Sequence, residues 1–350
     1  MKRRLQWAGA GIAALGLYAG LSAPLSAQEV LRFTGFGGSW AKHVQTAWIE
    51  PFEKETGIKV IYDTWDLKIG KIRAMVESKN ITSDLFVGNP QEAVAGCDEG
   101  ILEKIDNAIV GNVKDYPPGS QYPCGVSSHT SVVLFAWYKE KFPTGPKNLA
   151  EAFDIKKFPG KRSLSGRGHG TPEFALMADG VPKDKVYEVL AAPGGFDRVL
   201  AYLTPIKKDI HWWAASSSLA LQLLIDKEVN LSMMPGNRYY DAVKDGKNLD
   251  VLWNGTYIIY DTWTIPKGAP NKANALKFLA YTFKPERQAA MTNLTTFAAA
   301  GRAAEPYVNK DLAPFLPMGK NLDGALSLDI PFWAERLDGW LKRFEAWKQQ

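Results

Sequence analysis

The side chains that could do chemistry are few and scattered. Four histidines, His43, His129, His169 and His211, are spread along the chain. Neither a Gly-x-Ser-x-Gly elbow nor a His-Glu-x-x-His pair accompanies them, so the sequence spells out no preassembled nucleophile or zinc site. Paired carboxylates for glycoside chemistry depend on a separation in space that a sequence does not carry. The loop Gly35-Phe36-Gly37-Gly38-Ser39-Trp40 could offer backbone N–H groups to an anionic group at a helix N-terminus. As a phosphate cradle it is weak, because its glycines lack the Gly-x-Gly-x-x-Gly spacing and no Lys-Ser/Thr follows. Cys97 and Cys124 have no His or Cys neighbour at ligand spacing, so neither a metal nor any other cofactor is expected.

The frame that must position such residues is bounded by composition. A chain of 350 residues, 46% hydrophobic and 12% aromatic, has enough core for two compact units and too many aromatics for a disordered chain. Lys2, Arg3 and Arg4 precede an uncharged apolar run over 7–21, and small residues lead to Ala27, the pattern of a cleavable secretory signal peptide over 1–27. The run is shorter than the roughly 20 residues that a membrane-spanning helix needs. Without this segment the formal charge falls from +5 to +2, too little for a polyanion binder, so no nucleic-acid partner is expected. Export would place Cys97 and Cys124 in an oxidising compartment. A disulfide between them is then the favoured reading, worth about 3–4 kcal/mol in the chain-entropy model, with two free buried thiols as the alternative.

Strand and helix signals alternate along the rest of the chain. Short apolar strands are expected at 30–33, 58–62 and 84–87, with helices between them and Gly57 as a natural helix stop. Pro51 should kink the first helical stretch or mark its true start. Residues 131–138, 229–234 and 258–265 read as buried strands, and further helices fall at 149–153, 172–180 and 185–191. This alternation argues for an α/β fold with a largely parallel sheet. Near the C-terminus, Phe332, Trp333, Leu337, Trp340, Leu341, Phe344 and Trp347 recur at helical spacing and read as core.

Several segments, in order, resemble periplasmic solute-binding proteins of ABC importers, specifically the spermidine/putrescine-type branch. They are Glu53-Lys54-Glu55-Thr56-Gly57-Ile58-Lys59-Val60, Ser83-Asp84-Leu85-Phe86, Glu99-Gly100-Ile101-Leu102, Glu228-Val229-Asn230-Leu231 and Asp261-Thr262-Trp263-Thr264-Ile265-Pro266-Lys267-Gly268-Ala269. The resemblance implies a two-lobed, type II binding-protein fold with two crossing strands, here 131–138 and 260–266, and a ligand cleft that closes like a hinge. One lobe would comprise 28–134 plus about 264–315, the other 135–263 plus about 316–350. A monomeric periplasmic receptor working with an ABC permease follows, and an exported enzyme becomes the remote alternative.

The resemblance also assigns cleft residues. Polyamine-binding relatives hold ammonium groups with carboxylates and methylene chains with aromatics; Asp261 matches one such carboxylate and Glu173 falls near another. Gly170 stands where the relatives carry an acid, and Pro235-Gly236-Asn237-Arg238 replaces their Trp-Asn-Gly-Ser stretch. A dication near Arg238 would meet repulsion of about 4 kcal/mol per charge pair at an effective dielectric near 20, whereas a carboxylate would gain a comparable amount. Arg238 facing a carboxylate and Asp261 facing an ammonium describe a zwitterion, with Phe36, Trp40, Tyr260 and Trp263 flanking its chain. Ser39 in the glycine-rich loop is a further ligand candidate, Ser127 and Ser128 could hydrogen-bond a carboxylate, and a small ω-amino acid such as 4-aminobutyrate is the expected ligand, with a linear polyamine (putrescine or spermidine) as the alternative. Arg238 could instead pair with Asp241 or Asp245 at the surface. Tyr239-Tyr240 resembles the tyrosine pair of ferric-ion receptors, a weaker expectation.

Overall fold

The computed structural model describes residues 28–65, 69–116, 120–213 and 216–350, so the expected leader 1–27 lies outside the described residues. The strands among the described residues are β1 (Val30–Gly35), β2 (Lys59–Thr64), β3 (Leu85–Gly88), β4 (Gln121–Tyr122), β5 (Gly125–Tyr138), β6 (Arg162–Ser165), β7 (Ile210–Trp213), β8 (Leu231–Pro235), β9 (Leu249–Thr264), β10 (Ala298–Ala299) and β11 (Leu326–Ser327). The main path runs β2-β1-β3-β9-β5-β8-β6-β7. Its two ends are parallel, β1 with β2 and β3, and β6 with β7 and β8. The expectation of a largely parallel sheet therefore holds for the wings and fails at the centre. There the two longest strands, β5 and β9, pair antiparallel with Ser131 opposite Ile259 and Val133 opposite Tyr257. A chain that crosses between wings and later returns must run the two crossings in opposite directions. Register shifts at Ser127/His129 and Val133/Phe135 bend β5 on either side of this stretch.

Each wing has its own core. Leu31, Phe33, Trp48, Phe52, Trp263 and Phe278 gather on one side. Phe135, Leu164, Phe174, Leu231, Trp333 and Phe344 gather on the other. The C-terminal helix Ile330–Gln349 buries Phe332, Trp333, Trp340, Phe344 and Trp347, so the aromatic stripe is core as its spacing indicates. Pro51 sits in the first turn of helix Glu50–Thr56, directly after a π-helical turn over Gln45–Ile49. The run is continuous and changes at the proline from a π-helical turn to an α-helix, so Pro51 marks the start of the α-helical part. Among the described residues no helix is long and apolar enough to cross a membrane.

Cys97 and Cys124 are joined, with Cα atoms 5.5 Å apart and 27 positions between them in sequence. The bridge ties helix Pro90–Asp98 to the residue before β5. Chain-entropy arithmetic for a loop of that length gives about 3–4 kcal/mol. The double variant Cys97→Ala/Cys124→Ala is therefore expected to lower the unfolding free energy in urea by about that amount; an unchanged urea midpoint would refute it.

Candidate functional site

A cavity of about 520 Å³ lies over the central strand pair, at the ends of the parallel strands from both wings. Its floor is Ser131 and Val133 from β5 with Tyr257, Ile259 and Asp261 from β9. One wall is the Phe36–Trp40 loop at the end of β1, with Asn89 and Phe297. The facing wall hangs from the ends of β6, β7 and β8 through Arg167, His169, Trp213, Asn237 and Arg238. The carboxyl ends of parallel strands are where α/β sheets place their ligands, because helix N-termini and loops converge there. A wider groove of about 1000 Å³, lined by Tyr239, Trp253 and Phe315 among others, contains none of the expected cleft residues except the core-packed pair partner of Tyr240.

The glycine-rich loop is shaped by close approach. A Cβ on Gly35 would come within 2.8 Å of both the Trp40 ring and the Tyr62 hydroxyl, so the loop can fold over only without a side chain there. Tyr62 Oη donates to the Phe36 carbonyl at 2.5 Å and pins the loop to β2. Phe36 meets Trp40 edge to face, with ring centroids 5.0 Å apart, which leaves an aromatic rim on this wall.

Asp261 and Arg238 supply opposite charges to the same cavity. Asp261 Oδ2 stands 2.8 Å from Nε2 of His129, a buried ring lying between Trp40 and Phe297. Ser128 Oγ contacts His129 Nδ1 at 2.8 Å and donates to the Asp261 carbonyl at 3.0 Å, so the aspartate is braced from behind. Arg238 lies in the first turn of helix Gly236–Lys244, its side chain about one-third exposed. Its Nη1 is 3.9 Å from Asp241 Oδ2, at the outer limit of an ion pair and with that carboxylate half-exposed. Two buried donors on lining residues, Trp40 Nε1 and Arg238 Nε, have no hydrogen-bond partner among the described residues. Donors of that kind are expected to find an acceptor, and a ligand carboxylate is one.

Four residues expected in the cleft stand elsewhere. Along β9, Tyr257, Ile259 and Asp261 face the cavity, so the strand's period of two turns Tyr260 to the opposite side, where its hydroxyl lies 3.3 Å from Ser327 Oγ. Trp263 has the parity of Asp261 but lies further along, beneath the helices of the first wing, packed against Phe33 and Trp48. Ser127 is buried beside the disulfide and donates to the His129 carbonyl. Glu173 is fully buried and accepts from Gly170 N–H (2.7 Å), Trp333 Nε1 (2.6 Å), Tyr187 Oη (3.0 Å) and Tyr257 Oη (3.3 Å). It braces the cavity wall without lining it. Gly170 cannot stand in for an acid, since φ is +86° and a Cβ would meet Met233 Cε at 2.9 Å. Tyr239 is core against Phe315, and burial pushes its phenol up to about 12, which disfavours the phenolate an iron site wants. Among the described residues no group of three or more His, Cys, Asp or Glu gathers as for a metal.

Arg167, His169 and Trp213 were missed. The signal was present in Gly166-Arg167-Gly168-His169-Gly170, a glycine-rich turn between a strand and a helix, but nothing in the sequence aims it at the cavity. Burial, with the charge of Arg167, pulls the His169 ring down from 6.5 to about 4, so it is neutral in the wall and stacks on Tyr257. The unfolded chain then binds more protons than the folded one between those values, and stability falls as pH drops through that window, by about 3 kcal/mol in full. His169→Asn is expected to flatten this slope in urea unfolding between pH 7 and pH 4.5; parallel profiles would contradict it.

The comparisons agree with this geometry. Residues 47–311 match the family described as bacterial extracellular solute-binding protein. The gamma-aminobutyric acid-binding protein of Pseudomonas aeruginosa is 31% identical over 320 residues, covering 91% of each chain. The spermidine/putrescine-binding periplasmic protein of Escherichia coli is 23% identical over 286 residues, covering 79% of this chain and 80% of the other. A solved GABA receptor superposes with a TM-score of 0.82 at 30% identity, covering 91% of this chain and 98% of that one. A solved ABC transporter substrate-binding protein from Bradyrhizobium japonicum superposes with a TM-score of 0.83 at 26% identity, covering 91% of this chain and 99% of that one, and the shared fold is the two-lobed type II binding-protein fold. With its crossing strand pair, paired wings and cleft at the strand ends, the chain belongs to the bacterial extracellular solute-binding proteins.

Proposed function

We propose that this protein is a periplasmic receptor for a small ω-amino acid, with 4-aminobutyrate the leading ligand, and that it delivers this solute to an ABC importer. The observation that carries the reading is Arg238 and Asp261 lining one cavity, a cation and an anion available to opposite ends of a zwitterion. The buried, unpartnered Arg238 Nε adds a donor for the carboxylate end. The similarity to a gamma-aminobutyric acid-binding protein supports the same ligand. The linear polyamines of the weaker relatives suit the cavity less, since Arg167 and Arg238 both line it and a dication gains nothing from either. Export through residues 1–27, action as a monomer, and release of the ligand unchanged complete the proposal.

The lobes are inferred to divide as 28–134 plus about 264–315 and 135–263 plus about 316–350, in keeping with the two core clusters. Closure would bring the Phe36–Trp40 loop toward Arg238, and the ligand shifts this equilibrium only through its higher affinity for the closed form. Calorimetric titration of the purified protein with 4-aminobutyrate, putrescine and spermidine tests the reading. Binding of the amino acid at least a hundredfold tighter than either polyamine is expected. Tight putrescine binding, or chemical conversion of bound 4-aminobutyrate, would overturn it.

A further inference from the structure

Asp261 shares its carboxylate with a ring that does not itself line the cavity. His129 is buried on β5 directly opposite Asp261 on β9, with Nε2 2.8 Å from Asp261 Oδ2. The approach is that of an ion pair, and Nε2 makes no hydrogen bond among the described residues. On the other side of the ring, Nδ1 is 2.8 Å from Ser128 Oγ, which lies 3.0 Å from the Asp261 carbonyl oxygen.

Proton counting limits how these atoms can be satisfied. Ser128 has one hydroxyl proton and two neighbours that could accept it. If it goes to the Asp261 carbonyl, Nδ1 must carry the hydrogen shared with Ser128. A neutral ring then sets the bare Nε2 lone pair 2.8 Å from a carboxylate oxygen, and two acceptors so close repel. Either the hydroxyl turns to Nδ1 and leaves the carbonyl, or the ring takes a second proton and Nε2–H faces the anion. The second arrangement gives all three contacts a donor. Burial strengthens the interaction of that proton with any other charge near Asp261.

Asp261 is the charged group that meets this ring. Trp40 and Phe297 lie beside it, with ring centroids 6.2 and 4.6 Å away, and Ala299 pairs with it from β10. Lys42 and His43 follow Trp40 on its helix, where His43 interacts with Asp241 and Lys244. Across the cavity Arg167 and Arg238 keep their charge at any working pH, and His169 is neutral above about 4.

We propose that His129 is a positioning residue that couples ligand binding to a proton, its imidazolium and the ligand's ammonium being alternative cations for Asp261. This rests on the ω-amino acid reading and adds a pH dependence to it. An imidazole ordinarily changes charge between about pH 5 and 8. At the alkaline end a neutral ring leaves the whole charge of Asp261 to the ammonium. As pH falls the ring takes a proton, which the ligand must displace to solvent or face across the carboxylate, and affinity drops. Linkage is reciprocal, so binding of 4-aminobutyrate releases the proton that weakens it.

The test is calorimetric titration with 4-aminobutyrate at pH 7.5, 6.5 and 5.5, repeated at pH 6.5 in phosphate and in Bis-Tris, whose ionisation enthalpies differ. Wild type is expected to bind at least fivefold more weakly at pH 5.5 than at pH 7.5, and its apparent enthalpy should differ between the two buffers as proton release requires. His129→Gln keeps a side-chain donor and cannot titrate, so its affinity should stay within about twofold across the range and its enthalpy should not depend on the buffer. Ser128→Ala removes the acceptor for Nδ1–H, disfavours the second proton, and should move the fall in affinity to lower pH. Equal wild-type enthalpies in the two buffers would overturn the coupling and leave the ω-amino acid reading standing, as would proton release undiminished in His129→Gln. Failure of wild type to bind 4-aminobutyrate at any of the three pH values overturns both.

Discussion

Arg238→Ala is expected to weaken 4-aminobutyrate binding by roughly 30- to 150-fold. Truncating one partner of a desolvated, hydrogen-bonded charge pair costs about 2–5 kcal/mol, and the partial exposure of Arg238 argues for the lower half of that range. Much of the loss comes from leaving the ligand carboxylate without a planar, two-pronged donor. Arg238→Lys should therefore recover only part of the affinity, since an ammonium restores the charge and not the fork. Asp261→Asn should show a comparable loss through the other end of the ligand, because its oxygen can still accept but carries no charge against the ammonium. Neither arginine variant should change the urea midpoint of the ligand-free protein by much, because Arg238 Nε has no partner among the described residues to lose and its contact with Asp241 is long and exposed. An affinity within threefold of wild type in Arg238→Ala would mean that the guanidinium serves Asp241 alone.

The largest effect on stability is expected from Glu173→Ala, a loss of about 3–5 kcal/mol. The substitution leaves the indole of Trp333, the hydroxyls of Tyr187 and Tyr257 and the Gly170 N–H pointing at a space with no acceptor. Each orphaned buried donor costs about 1–3 kcal/mol, and the costs within one cluster are not additive. The cluster joins the cavity wall to the C-terminal helix, so binding should weaken together with folding. Glu173→Gln should cost less, because it keeps the volume and one acceptor oxygen while its amide places a donor against donors.

A second signature separates the two. Burial pushes the Glu173 carboxyl above the usual carboxylate range, against the pull of hydrogen bonds from Trp333, Tyr187 and backbone N–H groups. The folded protein then holds that proton at pH values where the unfolded chain has released it. Its stabilising contribution is complete below the ordinary glutamate range and is lost as pH rises through the folded value. Wild type should therefore lose stability relative to Glu173→Gln as pH rises from the acid side. Urea unfolding of both proteins from pH 4 to pH 8 reads the difference, and curves that stay parallel would remove the argument.

Several parts of the architecture were legible because they rest on local chemistry. The disulfide followed from two cysteines in a chain whose leader pattern reads as an export signal, and the aromatic stripe of the last helix followed from a period that places five rings on one face. The alternation of strands and helices indicated an α/β fold, and the ordered family segments added two crossings, which are the two longest strands. The local signals failed where direction mattered. A buried strand reads alike whether its neighbours run parallel or antiparallel, so the centre of the sheet was misjudged. Tyr260 and Trp263 are both aromatic and both within two positions of Asp261 in sequence, yet one turns to the back of the strand and the other sinks into the first wing's core.

The amino-acid order by itself indicated the principal strands and helices, favoured a bridge between the two cysteines, and showed an arginine at 238 joining an aspartate at 261 that the polyamine relatives share. Those properties depend on neighbours a few positions away, on period and on residue type. Only the tertiary structure decided that Arg167 and Trp213 meet in the same cavity as Arg238, and that Glu173 braces the wall instead of lining it. Convergence of β6, β7, β8 and the Phe36–Trp40 loop depends on strand order and twist, quantities summed over the whole sheet that no local window contains.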